Sequence, residues 1–168
     1  MTYAGPTLLR SGQGLEEFDC GEPALDDWLT RRALGNQASG SSRTWVVTHR
    51  PTGRVIAYYA SSTASVMRAA APGPIARNQP TELPAVLLGR LAVDRRHQGE
   101  GLAGAMLKHF MTKAIEVSEN VGVRLVLVHA KNDRAKAFYQ HFGFIESPVD
   151  ALTLMMLLPT ARTEAASE

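Results

Sequence analysis

The spacing of apolar and polar residues divides the chain into alternating strands and helices. Short apolar runs predict strands at residues 7–10, 44–48, 54–60, 86–93, 125–128 and 152–157. Apolar residues at helical spacing and helix-ending glycines predict helices over residues 24–37, 102–117 and 133–141. This order predicts a mixed α/β fold in a single domain over residues 1–158.

Two segments lack such a pattern. Residues 68–84 form a long connection rich in alanine and proline, and a loop of this length within a domain is usually functional or mobile. Residues 159–168 are mostly small and polar, which predicts a flexible C-terminal tail.

Three glycines, Gly99, Gly101 and Gly104, lie where the strand at residues 86–93 leads into the helix at residues 102–117. Glycine destabilises the first turn of a helix relative to alanine, so a functional reason is expected. A helix that begins in this way presents unpaired backbone N–H groups and its positive dipole end, and glycine allows an anion to approach the backbone. The pattern therefore predicts a phosphate site.

Three phosphate-binding patterns compete for this loop. A P-loop is excluded because no Gly-Lys-Ser/Thr follows. Residues 99–104 spell G-x-G-x-x-G, but the acidic residue that a dinucleotide site needs at the end of the next strand is replaced by His129 and Ala130. The third pattern, Q/R-x-x-G-x-G/A, binds a pyrophosphate and is spelled here by residues 98–103, QGEGLA.

In this form the loop resembles that of the GNAT family of acetyl-CoA-dependent N-acetyltransferases. The strand LLGRLAVD before the loop and the segment NDRAKAFYQHFGF after the next strand lie where that family has them. The resemblance covers residues 86–144. It implies the GNAT fold, a mixed, mostly antiparallel sheet with a splayed parallel pair of strands, flanked by helices. It also implies acetyl-CoA as co-substrate. The histidines of the sequence have no spacing that suggests a metal site.

The resemblance assigns three sets of main-chain or side-chain contacts to acetyl-CoA. Backbone groups of three strand residues would hold the pantetheine arm and polarise the thioester carbonyl: Leu91, Ala92 and Val93. Asn132 would bind the pantetheine side besides capping its own helix. The pyrophosphate would contact the loop residues Gln98, Gly99, Glu100, Gly101, Leu102, Ala103 and Gly104.

Tyr139 occupies the position of the family's tyrosine beside the coenzyme A sulfur. A phenol with an ordinary pKa of about 10 stays protonated at neutral pH and can donate to a departing thiolate. The resemblance therefore implies that Tyr139 is the catalytic general acid.

The strand at residues 86–93 lacks the carboxylate that several GNAT enzymes use as a general base. Arg90 stands in this strand and Asp94 follows it, and at this point either Asp94 or a water could help to remove a proton. An α-amine, with a pKa of about 7.7–8.0, needs less help than a lysine side chain at about 10.4. The strand therefore favours an amine that is already partly neutral.

Composition excludes little, but the distribution of charge is informative. The chain carries a net charge of +2, which is too small to indicate a nucleic-acid partner by itself. Residues 16–27 contain six acidic residues and no lysine or arginine, whereas residues 67–96 contain five arginines against only Glu82 and Asp94. The basic stretch hints at an anionic ligand.

The strings FDCGEPALDDWL, SSRTWVV and AYYASS extend the resemblance over residues 18–158 to the GNAT toxins of bacterial toxin–antitoxin pairs. Those toxins acetylate the α-amine of aminoacyl-tRNA and block translation. The resemblance implies an aminoacyl-tRNA substrate, whose phosphates would contact Arg77 and Arg90. It also implies a ribbon-helix-helix antitoxin, operator DNA bound only through that antitoxin, and a homodimer.

Two other functions stay open from the residues alone. A small-molecule or protein N-acetyltransferase would share the loop and Tyr139, and tRNA would not compete for it. A non-catalytic acetyl-CoA-binding module is disfavoured because both features are intact.

The single cysteine, Cys20, excludes an intramolecular disulfide, and no apolar run approaches the length of a membrane span, so we expect a cytoplasmic protein that does not bind membranes.

Overall fold

The computed structural model describes residues 2–159, which form seven strands and five α-helices. The strands are β1 (Tyr3–Leu8), β2 (Arg43–His49), β3 (Arg54–Met67), β4 (Glu82–Val93), β5 (Leu125–His129), β6 (Ile145–Glu146) and β7 (Thr153–Leu157). The helices are α1 (Pro23–Arg31), α2 (Ala33–Ser39), α3 (Gly73–Ala76), α4 (Leu102–Ser118) and α5 (Asp133–His141), with short 3-10 helices at Arg68–Ala70 and Arg95–His97. The predicted tail lies, apart from Pro159, outside the described residues.

The strands form one sheet in the order β1-β2-β3-β4-β5-β7-β6. β4 and β5 run parallel, in register from Ala85↔Leu125 to Leu88↔Val128. The pairs β1–β2, β2–β3, β5–β7 and β6–β7 are antiparallel. The predicted mixed, mostly antiparallel sheet with one parallel pair is confirmed.

The chain forms two compact units, each with its own core. The first comprises the chain up to residue 62 together with residues 89–110. Its core contains an aromatic cluster: the Tyr58 ring stacks on Trp28 at 6.0 Å between centroids and meets the edge of Phe18 at 5.5 Å. The Tyr58 hydroxyl donates a 2.6 Å hydrogen bond to the carbonyl of Leu25, so β3 and α1 are joined by both packing and a buried polar contact.

The second unit comprises residues 63–88 and, of the described chain, residues 111–159. Its core joins the parallel strand pair to the segment between β3 and β4, and Ile75 of α3 is 1% exposed within it. The buried Ser147 side chain donates a 2.5 Å hydrogen bond to the carbonyl of Ala70. The segment predicted as a loop is therefore anchored to the fold by an apolar and a polar contact.

Several predicted boundaries differ from the structure. The predicted helix over residues 24–37 is two helices, α1 and α2, which meet at Arg32 with φ −119° and ψ −32°. β3 is longer than predicted and continues through the small, mostly polar residues 61–65, where no apolar run marks it. The connection after it is correspondingly short, since β4 already begins at Glu82.

Two further points concern the ends of the elements. α5 has the predicted bounds, whereas the two-residue strand β6 is exposed and was not predicted. In the described part of the chain, no helix combines the length and the apolar composition that crossing a bilayer requires.

Candidate functional site

The glycine loop of the first unit connects β4 to α4. Gly99 and Gly101 adopt φ values of +82° and +78°, a left-handed conformation that residues other than glycine rarely adopt. A Cβ atom added at either position would meet no other atom within 4 Å. The glycines are therefore needed for the backbone conformation rather than for packing against the protein, and the space in front of the loop is open to a ligand.

The start of α4 supplies the hydrogen-bond donors of this loop. The carbonyl of Gly101 accepts the first helical bond, from the Ala105 N–H at 3.1 Å. The N–H groups that precede Ala105, on Leu102, Ala103 and Gly104, have no partner within the helix and lie at its positive dipole end. Together with the two glycines, they form a site suited to a phosphate or pyrophosphate.

The Gln98 side chain holds the loop from within the protein. Its Nε2 donates to the carbonyl of Val93 at 3.0 Å and to that of Cys20 at 3.4 Å. The side-chain nitrogen of Gln98 is thus engaged with the end of β4 and with the N-terminal segment. Its predicted contact with a coenzyme remains a prediction, and Glu100 beside it is exposed.

Asp94 anchors the entry to the loop, and its side chain is fully buried. Its oxygens accept from the backbone N–H of Asp19 and of Arg96, and from Nε and a terminal nitrogen of Arg96, at 2.9–3.1 Å. Burial alone would raise the pKa of the Asp94 carboxyl, but the Arg96 side chain and the two N–H donors outweigh it and hold that pKa below its ordinary value. Both oxygens are occupied, so Asp94 is suited to positioning the loop and not to removing a proton from a substrate.

Part of the acidic stretch at residues 16–27 is engaged in ion pairs and hydrogen bonds within the protein. Glu17 pairs with Arg54 at 2.6 Å, and Asp19 pairs with Arg95 at 2.7 Å. Asp26 accepts from the backbone N–H of Cys20 at 2.9 Å. Half of the six acids therefore organise the segment before α1, and Glu16, Glu22 and Asp27 remain as exposed acids.

The predicted residues of β4 lie just before the loop. Ala92 is buried in the core of the first unit, while Leu91 and Val93 are half-buried. Arg90, also half-buried, places its guanidinium carbon 4.3 Å from the centroid of the Trp28 ring. This cation–π contact holds Arg90 in place without neutralising its charge, and among the described residues Arg90 forms no ion pair.

Tyr139 lies in the second unit, on α5. Its side chain is buried, with the ring edge-on to Phe138 at 5.2 Å and to Phe144 at 5.6 Å. No group among residues 2–159 is hydrogen-bonded to its hydroxyl, and burial raises the pKa of this phenol. Tyr139 is therefore a neutral acid held in position by aromatic packing, with its proton free for another partner.

Asn132 begins the helix that carries Tyr139. Its side-chain oxygen accepts from the Ala135 N–H at 2.9 Å, which is the N-cap interaction predicted for it. The side chain is exposed, and its predicted contact with pantetheine remains a prediction.

Arg77, the other predicted tRNA contact, is exposed at the end of α3 in the second unit. It lines a pocket of about 600 Å³ together with Arg68. Arg68 was not among the individually predicted tRNA contacts. The signal available was its place in the arginine-rich stretch at the start of the proline-rich connection.

Three of the histidines are hydrogen-bonded to other side chains through Nδ1. His97 is hydrogen-bonded to the Tyr3 hydroxyl at 2.9 Å, and His109 to that of Tyr59 at 2.6 Å. His129 is bound to the Thr153 hydroxyl at 3.1 Å. Within residues 2–159, no group of three or more His, Cys, Asp or Glu residues is arranged to hold a metal ion.

The chain is similar to known acetyltransferases over most of its length. Residues 40–146 match the profile of the acetyltransferase (GNAT) domain. A tRNA-acetylating toxin of Mycobacterium tuberculosis (strain ATCC 25618 / H37Rv) is 43% identical over 160 residues, which cover 95% of each chain.

Two solved structures are similar over nearly the whole chain. AtaT complexed with acetyl-methionyl-tRNAfMet has a TM-score of 0.83 and 30% identity, covering 96% of this chain and 98% of AtaT. A tyrosine-to-phenylalanine mutant of AtaT, bound to the C-terminus of the antitoxin AtaR and to acetyl-CoA, has a TM-score of 0.77 and 28% identity, covering 95% and 92%.

The Asp94 network predicts a pH-dependent stability. Because the pKa of this carboxyl is lower in the folded protein than its ordinary 3.8, its contribution is present above that value and disappears as the pH falls through the folded pKa. We expect Asp94→Asn to lower the free energy of unfolding at pH 7 by about 2–4 kcal/mol. Urea unfolding between about pH 7 and pH 3 measures the difference, which should shrink at the acid end.

Asp27→Asn is the matched control, since Asp27 is an exposed acid of α1. It should change the unfolding free energy by less than about 0.5 kcal/mol at any pH. A destabilisation by Asp94→Asn that is the same at both ends of the pH range would contradict the electrostatic role.

Proposed function

The chain belongs to the GNAT acetyltransferase family, and from this premise we propose that it transfers an acetyl group from acetyl-CoA to the α-amine of an aminoacyl-tRNA, which blocks translation. The observation that carries the proposal is the similarity to a tRNA-acetylating toxin over nearly the whole chain. The contacts of the loop, of Tyr139 and of Arg90 support it independently, because each suits one requirement of that reaction.

The glycine loop suits the pyrophosphate of acetyl-CoA. Its left-handed glycines leave the backbone open, and the N–H groups at the start of α4 supply donors at a positive helix end. The loop's own acid, Glu100, is exposed and can turn toward solvent. We assign the main chain of Leu91, Ala92 and Val93 to the pantetheine arm, which would add to the strand by backbone hydrogen bonds.

When bound, acetyl-CoA supplies the acetyl group as a thioester. In this proposal Tyr139 supplies the proton that the departing sulfur needs. Burial keeps the phenol protonated, and the rings of Phe138 and Phe144 hold it in place. Since the described residues offer its hydroxyl no acceptor, the proton on Oη is available to the leaving group.

Arg90 takes the position on β4 where a general base would otherwise stand. The ring of Trp28 holds its guanidinium, so its charge is both fixed and uncompensated. A cation there suits an acceptor that brings phosphates and an α-amine that is partly neutral, and it disfavours a lysine ammonium. Arg77 would contribute a further phosphate contact.

The same similarity supports the partners and the compartment of the protein. We infer a ribbon-helix-helix antitoxin as inhibitor, with operator DNA bound only through that antitoxin, and a homodimeric toxin. AtaT bound to the C-terminus of AtaR is the parallel for the first of these. Charged tRNA is a cytoplasmic substrate, so we place the protein in the cytoplasm.

The loop assignment predicts that a side chain at Gly101 abolishes acetyl-CoA binding. Gly101→Val would place a branched side chain over the N–H donors, and calorimetric titration should then detect no binding. Gly12→Val is the matched control, because Gly12 has a similar φ of +85° and equally open surroundings but lies far from the loop in sequence. It shares the backbone strain and should keep the wild-type affinity. Unchanged affinity in a folded Gly101→Val protein would refute the assignment.

The general-acid assignment predicts a loss of turnover without a loss of stability. Tyr139→Phe keeps the aromatic packing and removes the proton donor, so kcat should fall roughly 10²- to 10⁴-fold. Acetyl-CoA affinity should hardly change. Because the hydroxyl has no hydrogen-bond partner among the described residues, the free energy of unfolding should stay within about 0.5 kcal/mol of wild type. Near wild-type turnover would make Tyr139 a packing residue.

The acceptor is tested by label transfer. The protein is incubated with labelled acetyl-CoA and, in parallel, with a pool of charged tRNAs, deacylated tRNA, free amino acids and lysine peptides. Label should appear on the charged tRNA alone, as an acetylated α-amine. Label on peptides or free amino acids, with none on charged tRNA, would replace this proposal by a protein or small-molecule acetyltransferase.

A further inference from the structure

Three side chains of the second unit are joined by hydrogen bonds that the proposed function does not use. His129, the last residue of β5, is bonded through Nδ1 to the Thr153 hydroxyl at 3.1 Å. The same hydroxyl donates to Oδ2 of Asp150 at 3.1 Å. Thr153 is buried, whereas His129 and Asp150 are exposed. We call this group the His129 triad.

Asp150 is held in its ionised form. The backbone N–H of Leu152 donates to Oδ1 of Asp150 at 3.0 Å. This contact and the Thr153 hydroxyl keep the pKa of the Asp150 carboxyl below its ordinary value, and a positive charge on His129 acts in the same direction. Within residues 2–159, Asp150 is the titratable group that interacts with His129.

The hydrogen bonds of the His129 triad fix the tautomer of the imidazole. A threonine hydroxyl has one hydrogen, and here an ionised carboxylate, which can only accept, takes it. The Thr153 oxygen must therefore accept from the Nδ1–H of His129. In the neutral ring the other nitrogen, Nε2, then carries a lone pair. Among residues 2–159, Nε2 has no hydrogen-bond partner, so it can accept a proton from a substrate.

His129 lies where the parallel strand pair ends. The pairing of β4 with β5 stops at Leu88↔Val128, one residue before His129. The proposed function assigns the residues of β4 beyond this last pair to the pantetheine arm. His129 is therefore the first side chain of β5 beyond the paired part of the two strands.

The His129 side chain belongs to the face of the sheet where the acceptor is expected. Side chains two residues apart in a strand share a face, so His129 shares the face of Leu127 and Leu125. Both leucines pack in one core with Ile75 of α3. Arg77, to which the proposed function gives a tRNA phosphate, caps the end of that helix. His129 and this tRNA contact thus belong to the same side of the second unit.

The proposed general acid is attached to the same part of the second unit. Thr153 lies two residues, about 7 Å, from Met155 along β7. Met155 pairs with Ile145, which follows Phe144. The Phe144 ring lies 5.6 Å from that of Tyr139. The positions of β7 that carry His129 and Tyr139 are therefore close neighbours.

We propose that His129 is the general base that takes the proton from the α-amine of the acceptor, with Thr153 and Asp150 as positioning residues. The inference rests on the proposed function and names a catalytic residue for its reaction. As the nitrogen–carbon bond forms, the amine loses a proton to Nε2 of His129. As the carbon–sulfur bond breaks, its electron pair goes to the sulfur, which takes the proton of Tyr139. Solvent then removes the proton from His129 and returns one to Tyr139, which restores both groups.

The test uses a variant that keeps the hydrogen bond and loses the base. In His129→Asn the side-chain amide nitrogen takes the place of Nδ1 and can still donate to Thr153, but no basic nitrogen remains. Thr153→Val removes the hydroxyl that orients the ring. His49→Asn is the matched control, because His49 is bonded through Nδ1 to the Thr52 hydroxyl at 2.9 Å and lies in the first unit. Turnover of charged tRNA is measured between about pH 5.5 and pH 8, and acetyl-CoA affinity by calorimetry.

His129→Asn should lower kcat roughly 10²- to 10⁴-fold at neutral pH and leave acetyl-CoA affinity unchanged. Thr153→Val should lower kcat roughly tenfold, and His49→Asn should change neither quantity. At acid pH, the wild-type plot of log kcat/KM against pH should approach a slope of about 2, because the base and the amine must both be deprotonated. His129→Asn should show a slope of about 1, from the amine alone. Because the site is exposed, added imidazole should restore part of the turnover of His129→Ala.

Three results would overturn the proposal. Wild-type turnover in His129→Asn would mean that no base acts from this position. A loss of turnover with an unchanged slope at acid pH, and without rescue by imidazole, would make the His129 triad a support for the start of β7. An equal loss in His49→Asn would show that the effect is not specific to the end of β5. In each case wild-type transfer of label to charged tRNA would leave the proposed function standing.

Discussion

The buried carboxylate of Asp94 joins the segments that meet where the glycine loop begins. Its oxygens bind the backbone of Asp19 and the backbone and side chain of Arg96, while its own N–H bonds to the carbonyl of Ile56 in β3. A buried carboxylate is unfavourable unless its oxygens are paired, and here they are. The position of Gln98 and of the two left-handed glycines depends on this anchor, because they follow it within seven residues.

The arginines described above fall into two groups with different consequences. Near the loop, acids and arginines are paired: Glu17 with Arg54, Asp19 with Arg95 and Asp94 with Arg96. These pairs shape the backbone and leave little net field. Arg68, Arg77 and Arg90 are held by a carbonyl, by the backbone of a short helix or by an aromatic ring, none of which cancels their charge. The basic stretch noticed in the sequence is therefore a mixture of structural and uncompensated cations.

Much of the fold could be predicted from local patterns, and the failures have physical causes. α5 was predicted with its observed bounds because an N-cap asparagine and a following glycine mark its ends. The break at Arg32 carries no proline or glycine, so helical spacing alone could not show it. The extension of β3 depends on pairing in the sheet and not on apolar residues. The family and the mixed sheet could be predicted because the loop and the strings on either side of it follow one another in an order specific to that family. The family match and the parallel pair confirm both.

The roles of the predicted site residues remain predictions, and the structure adds contacts that the motifs could not show. The side-chain amide of Gln98 is turned toward the protein, which a motif does not reveal. The choice between Asp94 and a water as helper was open in the sequence, and burial decides against Asp94. Arg68 was not singled out because the residues that line a pocket with it come together only when α3 packs.

The burial of Tyr139 has a consequence for how the reaction would respond to acidity. A phenol whose pKa lies above its ordinary value is fully protonated throughout the physiological range, so it contributes no inflection there. The pKa of the Asp94 carboxyl lies below its ordinary value, so Asp94 is likewise silent near neutrality. Of these three groups, the amine being acetylated is then the one that titrates near neutral pH. Among these groups, an inflection near neutral pH would be a signature of the acceptor rather than of Tyr139 or Asp94.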